Sequence, residues 1–248
     1  RHRAAPPGLS QPTAPPPGPG RASPKGTGSG CSAASRALAL FRKHFAPYGE
    51  KTPRGKSLRK ATWHRLCQDG GGAVRLAELE RWVSLELERK HPGGVGRRIW
   101  CRLRPCCMHA FESARAVDGN GDTLSTREFR LCVRYLCIYS GMVDSHCSVA
   151  GDNRNGGGNG TDDGHCVSLK EWEAAFPHFR NGTGGYNFAA FADLADNSTA
   201  GDIFRKMDAG AQGSIALFEW CHYLVAAEIG RGTEDGADLS LGGPVTKN

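Results

Sequence analysis

Apolar residues recur along this chain in bursts with a helical period, and each burst ends in a stretch that holds almost none. Ala37, Leu38, Leu40, Phe41 and Phe45 form the first burst, which predicts a short amphipathic helix closed by Pro47. A basic linker leads to a second helix around Leu58–Leu66. Leu76, Leu79, Val83 and Leu87 then share one face, with Trp82 beside them, until Pro92-Gly93-Gly94 stops the pattern. Residues 96–116 read as a helix kinked at Pro105. The clearest period in the chain is Phe129, Cys132, Val133, Leu136 and Cys137. Helices are expected again over Leu169–Phe176 (stopped by Pro177), Phe188–Leu194, Ala200–Met207 and Leu217–Ile229. Strand-like alternation is confined to very short stretches inside loops, so the predicted class is all-α.

Between these helices a polar, Gly-rich loop occurs four times, each ending in a glutamate that opens the next helix. This is the pattern of the EF-hand, the helix–loop–helix unit that holds calcium. Calcium takes about six to eight hard oxygens. A twelve-residue loop supplies them from side chains at positions 1, 3, 5 and 9, a carbonyl at 7 and a bidentate Glu at 12. Position 6 is Gly for a sharp turn. Position 8 is apolar and pairs with the neighbouring loop. The expected architecture is four such units in two paired lobes, with short loop-to-loop β pairings and disordered termini. The boundaries are 1–33 for a disordered Pro/Gly-rich segment, 34–142 for the first pair, 143–229 for the second pair with an inserted loop at 150–165, and 230–248 for a disordered tail.

The loop at 118–128 matches the ligand types best. Asp118, Asn120 and Asp122 take positions 1, 3 and 5, Thr123 offers a carbonyl at 7, Ser125 acts at 9 and Glu128 closes at 12. The loop has eleven residues, because the turn glycine is missing between Asp122 and Thr123. An alternative register puts Gly121 at the turn and makes Asp122 the inserted residue. The loop at 208–219 has full length, with Asp208, Gln212 and Glu219 as its candidate ligands, but Gly210 and Ala216 stand where oxygens are wanted. The loop at 67–78 keeps Asp69 and Glu78 but begins with Cys67, and its Val74 is matched to Leu124 for cross-pairing. The fourth loop, ending at Glu171, is swollen. Asp152, Asp162 and Asp163 lie within it, and His146-Cys147 and His165-Cys166 flank it. Those two pairs match no zinc spacing; a Cys147–Cys166 disulfide requires an oxidising compartment.

The formal net charge of +7 is unusual for a chain with carboxylate-rich loops. The basic residues cluster at Lys51–Lys60 and Arg89–Arg104. Such a face is either simply solvated or turned to an acidic partner or anionic membrane surface. Nothing resembles an aromatic RNA motif or helix-turn-helix, so no nucleic-acid partner is expected. The ten cysteines sit largely among apolar helix positions, where they behave as small hydrophobes, and the compartment reads as reducing. No apolar run approaches membrane-spanning length. The chain opens on Arg1, so any N-terminal signal or lipid anchor is expected to lie ahead of it. With no nucleophile elbow, phosphate loop, zinc-protease pattern or carboxylate dyad, an enzyme is not expected.

From Ala110 through Ile229 the sequence resembles the flagellar calcium-binding proteins of trypanosomes, the calflagins. The resemblance is carried by AFESARAVDGNGDTLSTREFRLCVRYLCIY, by the Leu…Glu-Trp…Ala-x-Pro pattern in VSLKEWEAAFP at 167–177 and by DIFRKMDAGAQGSIALFEWCHYLVAA. It implies four hands in two lobes, a calcium-dependent membrane association and a cytoplasmic place at the flagellar membrane. In that family the third and fourth hands bind calcium; here the third is interrupted and the fourth is poor in ligands. The function expected is that of a calcium-responsive sensor or adaptor with a protein partner. The alternative is a calcium-independent adaptor that uses its basic face.

Overall fold

The computed structural model describes residues 29–67, 72–118, 121–150, 166–183, 185–192, 194 and 198–242. These form eleven helices and one two-stranded sheet. The helices are α1 (Ser29–Gly49), α2 (Pro53–Leu66), α3 (Leu76–Lys90), α4 (Val95–Leu103), α5 (Pro105–Arg115), α6 (Thr126–Val149), α7 (Leu169–Arg180), α8 (Ala189–Ala192), α9 (Ala200–Met207), α10 (Leu217–Arg231) and α11 (Glu234–Leu239). The strands are β1 (Val167–Ser168) and β2 (Ser214–Ile215). The mostly helical class expected from the periodicity is therefore what the chain adopts.

The helix starts follow from local chemistry. Thr52 caps α2, with its hydroxyl on the Gly55 N–H and Pro53 in the first turn, so the helix begins inside the stretch read as a basic linker. Ser125 caps α6 and Ser168 caps α7, each in a reciprocal box with the glutamate three residues on. Pro105 opens α5 at its first position, so the kink expected there is a break between two helices. Two proline stops do not hold: Pro47 and Pro177 lie inside α1 and α7. Each sits in the closing turns, where the one hydrogen bond it forfeits is a small part of the helix. At the end of α1, Arg59 donates to the carbonyls of Tyr48 and Glu50 and so caps the terminus from outside.

The loops pair through their buried apolar residues. Val74 and Leu124 form an antiparallel bridge, with N–H···O distances of 3.1 and 2.7 Å in the two directions. Val167 and Ile215 face one another across the β1–β2 pair. All four side chains are fully buried.

One core runs through the molecule. Phe41, Phe45 and Trp82 pack with Phe129 at one end, and Trp172 and Trp220 form the aromatic centre of the other. The long α6 joins the two, and the boundary drawn at 142/143 falls within it. The expected disordered tail needs correction at its beginning: residues 234–239 are helical as α11, packed on α6 and α10. Likewise α1 begins at Ser29, so the last residues of the N-terminal segment are helical. Residues 1–28 and 243–248 lie outside the described residues, as does 151–165 of the insert. Among the described residues no helix is long and apolar enough to cross a membrane.

Candidate metal centre

The loop between α5 and α6 places Asp118 and Glu128 at opposite ends of its turn, with Ser125 between them. Glu128 is 1% exposed. Its Oε2 accepts from the Ser125 N–H at 2.7 Å, and the Ser125 hydroxyl accepts from the Glu128 N–H. Its Oε1 is buried without a hydrogen-bond partner, the single carboxylate oxygen among the described residues in that condition. A buried carboxylate oxygen left unpaired costs on the order of a few kcal/mol, so this atom asks for a donor or a cation. The Ser125 hydroxyl also approaches Asp118 Oδ2 at 3.5 Å, which ties the start of the loop to its end.

The other predicted ligands are not gathered in the same way. Asp122 is fully exposed and faces Arg115 across 3.5 Å. The cause is the missing residue. In the loops at 67–78 and 208–219 the left-handed glycines Gly72 and Gly213 lie two residues before the paired apolar position. Here the left-handed residue is Gly121, three before Leu124. The loop thus follows the alternative register, and Asp122 is the extra residue turned outward. Thr123 is half-buried. Asn120 lies outside the described residues, together with Asp69, Asp152, Asp162, Asp163 and His165.

Two arginines stand at the rim. Arg127 reaches Asp118 Oδ1 at 3.3 Å, and Arg115 reaches the Gly121 carbonyl as well as Asp122 and Glu112. The composition signalled an excess of positive charge but not that two of its members neutralise this loop.

The loop at 208–219 is satisfied differently. Asp208 Oδ1 and Oδ2 accept from the N–H groups of Gln212 and Gly213, each at 2.8 Å. Glu219 Oε1 and Oε2 accept from those of Gly210 and Ala216 at 3.2 and 3.0 Å. Both carboxylates point inward, and the backbone meets every one of their oxygens. Gln212 is exposed, with its side chain folded against Gly210. Glu78 and Glu171 likewise accept from the N–H three residues earlier, at 2.7 and 2.9 Å. Among the described residues, no group of three or more His, Cys, Asp or Glu converges as a metal site.

Cys106, Cys107, Cys132, Cys221 and His146 are buried in the core, Cys166 is exposed, and His165 lies outside the described residues. The nine described cysteines outside the first turns of α1 are thiols. His146 is buried against Trp220, with Nε2 3.3 Å from the Ile215 carbonyl. Burial pushes the Cys132, Cys137 and Cys221 thiols up, Cys137 to about 11, which keeps them protonated and inert.

Of the basic stretches, Lys51 just before α2 and Arg54, Lys56 and Lys60 along it are exposed. Arg89 and Arg102, by contrast, are engaged with Glu86 and the buried Asp144. No family model matches the chain, and no curated protein matches it.

Proposed function

We propose that the chain is a calcium-binding protein of four worn EF-hand units in two pairs, a calcium-responsive sensor or adaptor with its working site at 118–128. The observation that carries this reading is Glu128 Oε1: a carboxylate oxygen, buried, unpartnered, and at the position where the hand's closing ligand belongs. Asp118, Glu128, the Ser125 hydroxyl and the Thr123 carbonyl would hold the ion, with Asn120 completing the set and Asp122 joining by swinging inward. The ion would supply the positive charge that Glu128 lacks and draw α5 and α6 into a new angle for a partner protein. The paired bridges Val74–Leu124 and Val167–Ile215 support the four-unit architecture, since paired loops meet at that register. The resemblance to the calflagins, with its cytoplasmic or flagellar setting, belongs to the same proposal.

Isothermal titration of the full chain with calcium tests it. A saturable heat is expected, with a dissociation constant weaker than roughly 10⁻⁵ M because the loop is short and its rim is basic. Glu128→Gln should abolish it and Glu219→Gln should leave it intact. No heat above the Glu128→Gln control would end the reading.

The loop at 208–219 favours a second one. Its carboxylates are fully met by its own backbone, which holds the shape without an ion. A calcium-independent adaptor would present Lys51, Arg54, Lys56 and Lys60 to an anionic membrane or acidic partner. Vesicle binding that is equal with calcium or chelator, and lost above about 0.3 M salt, would select it.

A further inference from the structure

Between α5, α6, α10 and α11 lies a cavity of about 310 Å³. Most of its lining is hydrocarbon, with Val225 and Ala226 from α10 and Leu239 from α11. Among the described residues no Lys, Arg, Asp or Glu faces it. The exposed His222 of α10 and Ser240 just after α11 line it as well, and three polar side chains do so from α5 and α6. Two of them satisfy each other: Ser113 Oγ and Tyr139 Oη hydrogen-bond at 2.7 Å. The third is His109. It is 3% exposed and stacked on the Tyr139 ring, 5.4 Å between centroids at 22°. It makes no hydrogen bond to any described residue. Burial holds its pKa down to about 4, so at neutral pH it is an uncharged imidazole with one free donor and one free acceptor.

An apolar cavity that keeps one buried, unpaired polar side chain on its wall has the composition of a small-molecule site. We propose that this cavity binds a small, neutral, apolar molecule bearing a single hydrogen-bonding group, which His109 addresses. The volume sits at the lower end of ligand pockets, roughly 300–1,000 Å³, and suits a body of about two fused rings. A helix, about 10 Å across with its side chains, is too wide for it. A carboxylate or ammonium group would enter without a counter-ion and lose its hydration. A hydroxyl or an amine-type N–H instead finds the imidazole nitrogen. The proposal does not rest on calcium at 118–128.

Fluorescence titration of the full chain with 2-naphthol, beside 2-methylnaphthalene as the same shape without the hydroxyl, tests it. Saturable one-to-one binding of 2-naphthol is expected, at least about tenfold tighter than 2-methylnaphthalene, which corresponds to about 1.4 kcal/mol. Ala226→Trp, which fills the cavity, should abolish binding of both; Val225→Phe serves if that variant melts early by circular dichroism. His109→Phe should keep the stacking and bring the two probes to equal affinity. Absence of 2-naphthol binding, binding that survives the filled cavity, or a hydroxyl preference that survives His109→Phe would each overturn the proposal.

Discussion

Glu78, Glu128, Glu171 and Glu219 occupy one sequence position in four loops and share one hydrogen bond, to the backbone N–H three residues earlier. They differ in the second oxygen. Glu219 gives it to Gly210, while Glu128 buries it unpaired. The cap therefore takes one oxygen of each side chain, and its neighbours decide what meets the other. At 118–128 the decisive neighbour is Arg127, whose guanidinium sits on Asp118 while remaining 75% exposed. An exposed ion pair is worth about 0.2–1 kcal/mol, which a cation must displace. On the proposed calcium reading, Arg127→Gln is accordingly expected to tighten calcium by about two- to fivefold in isothermal titration, with the melting temperature lowered by no more than about 2–4 °C. Arg130→Gln, three residues on and exposed, is the control. Unchanged or weaker calcium affinity in Arg127→Gln would show that Asp118 is not a ligand. The glutamates were legible in the sequence, since capping and ligation demand the same spacing. The direction of Asp122 was left open between two registers, because spacing alone does not say whether the missing residue moves the left-handed turn to Gly121 and reverses the side chain after it.

Among the elements, those with an apolar stripe were legible and those held by polar contacts were not. The Val74–Leu124 pairing follows from two buried apolar residues at matched loop positions. Helix α11 gave no such signal: Leu239 is its one apolar side chain of any size. Charge holds it instead. Arg134 on α6 bonds Glu234, Asp235 and Asp238, and Tyr135 donates its hydroxyl to the Asp238 carbonyl at 2.7 Å. Thr233 caps the helix, and Gly242 follows so close to the Ser113 carbonyl that a Cβ there would lie 2.5 Å from it. Burial alone would disfavour the Arg134 charge, and the three carboxylates more than offset this, raising its pKa. Arg134→Ala should destabilise the protein by about 1–2 kcal/mol, since it removes a partly buried network rather than one surface pair. Amide hydrogen exchange should rise most over residues 234–239. Uniform exchange across the chain, or no change at α11, would mean that Leu239 alone anchors the helix.

For the molecule as a whole, the two halves read from the loop pairs are joined by more than a linker. Asp144 lies on α6, just past the boundary drawn from sequence, and is completely buried. Its Oδ1 accepts from Arg102 of α4, and its Oδ2 accepts from the Tyr186 hydroxyl at 2.6 Å. Ser148 links Arg102 and Tyr186 beside it, at 3.0 Å to each. The network therefore connects α4 of the first half with the segment after α7 of the second. Its members are scattered in sequence and belong to no loop motif, so periodicity offered no view of them. A buried arginine that loses its carboxylate keeps its charge without compensation, and breaking such a pair costs about 3–5 kcal/mol. Asp144→Ala is expected to lose stability on that order in urea unfolding, whereas Asp144→Leu with Arg102→Met should recover much of it, because both charges then leave together. Since α6 is common to both halves, unfolding should also remain one transition, with tryptophan fluorescence and far-UV circular dichroism moving together. Two separated transitions in the wild-type chain would mean that the halves are independent lobes and that the buried pair at Asp144 couples nothing.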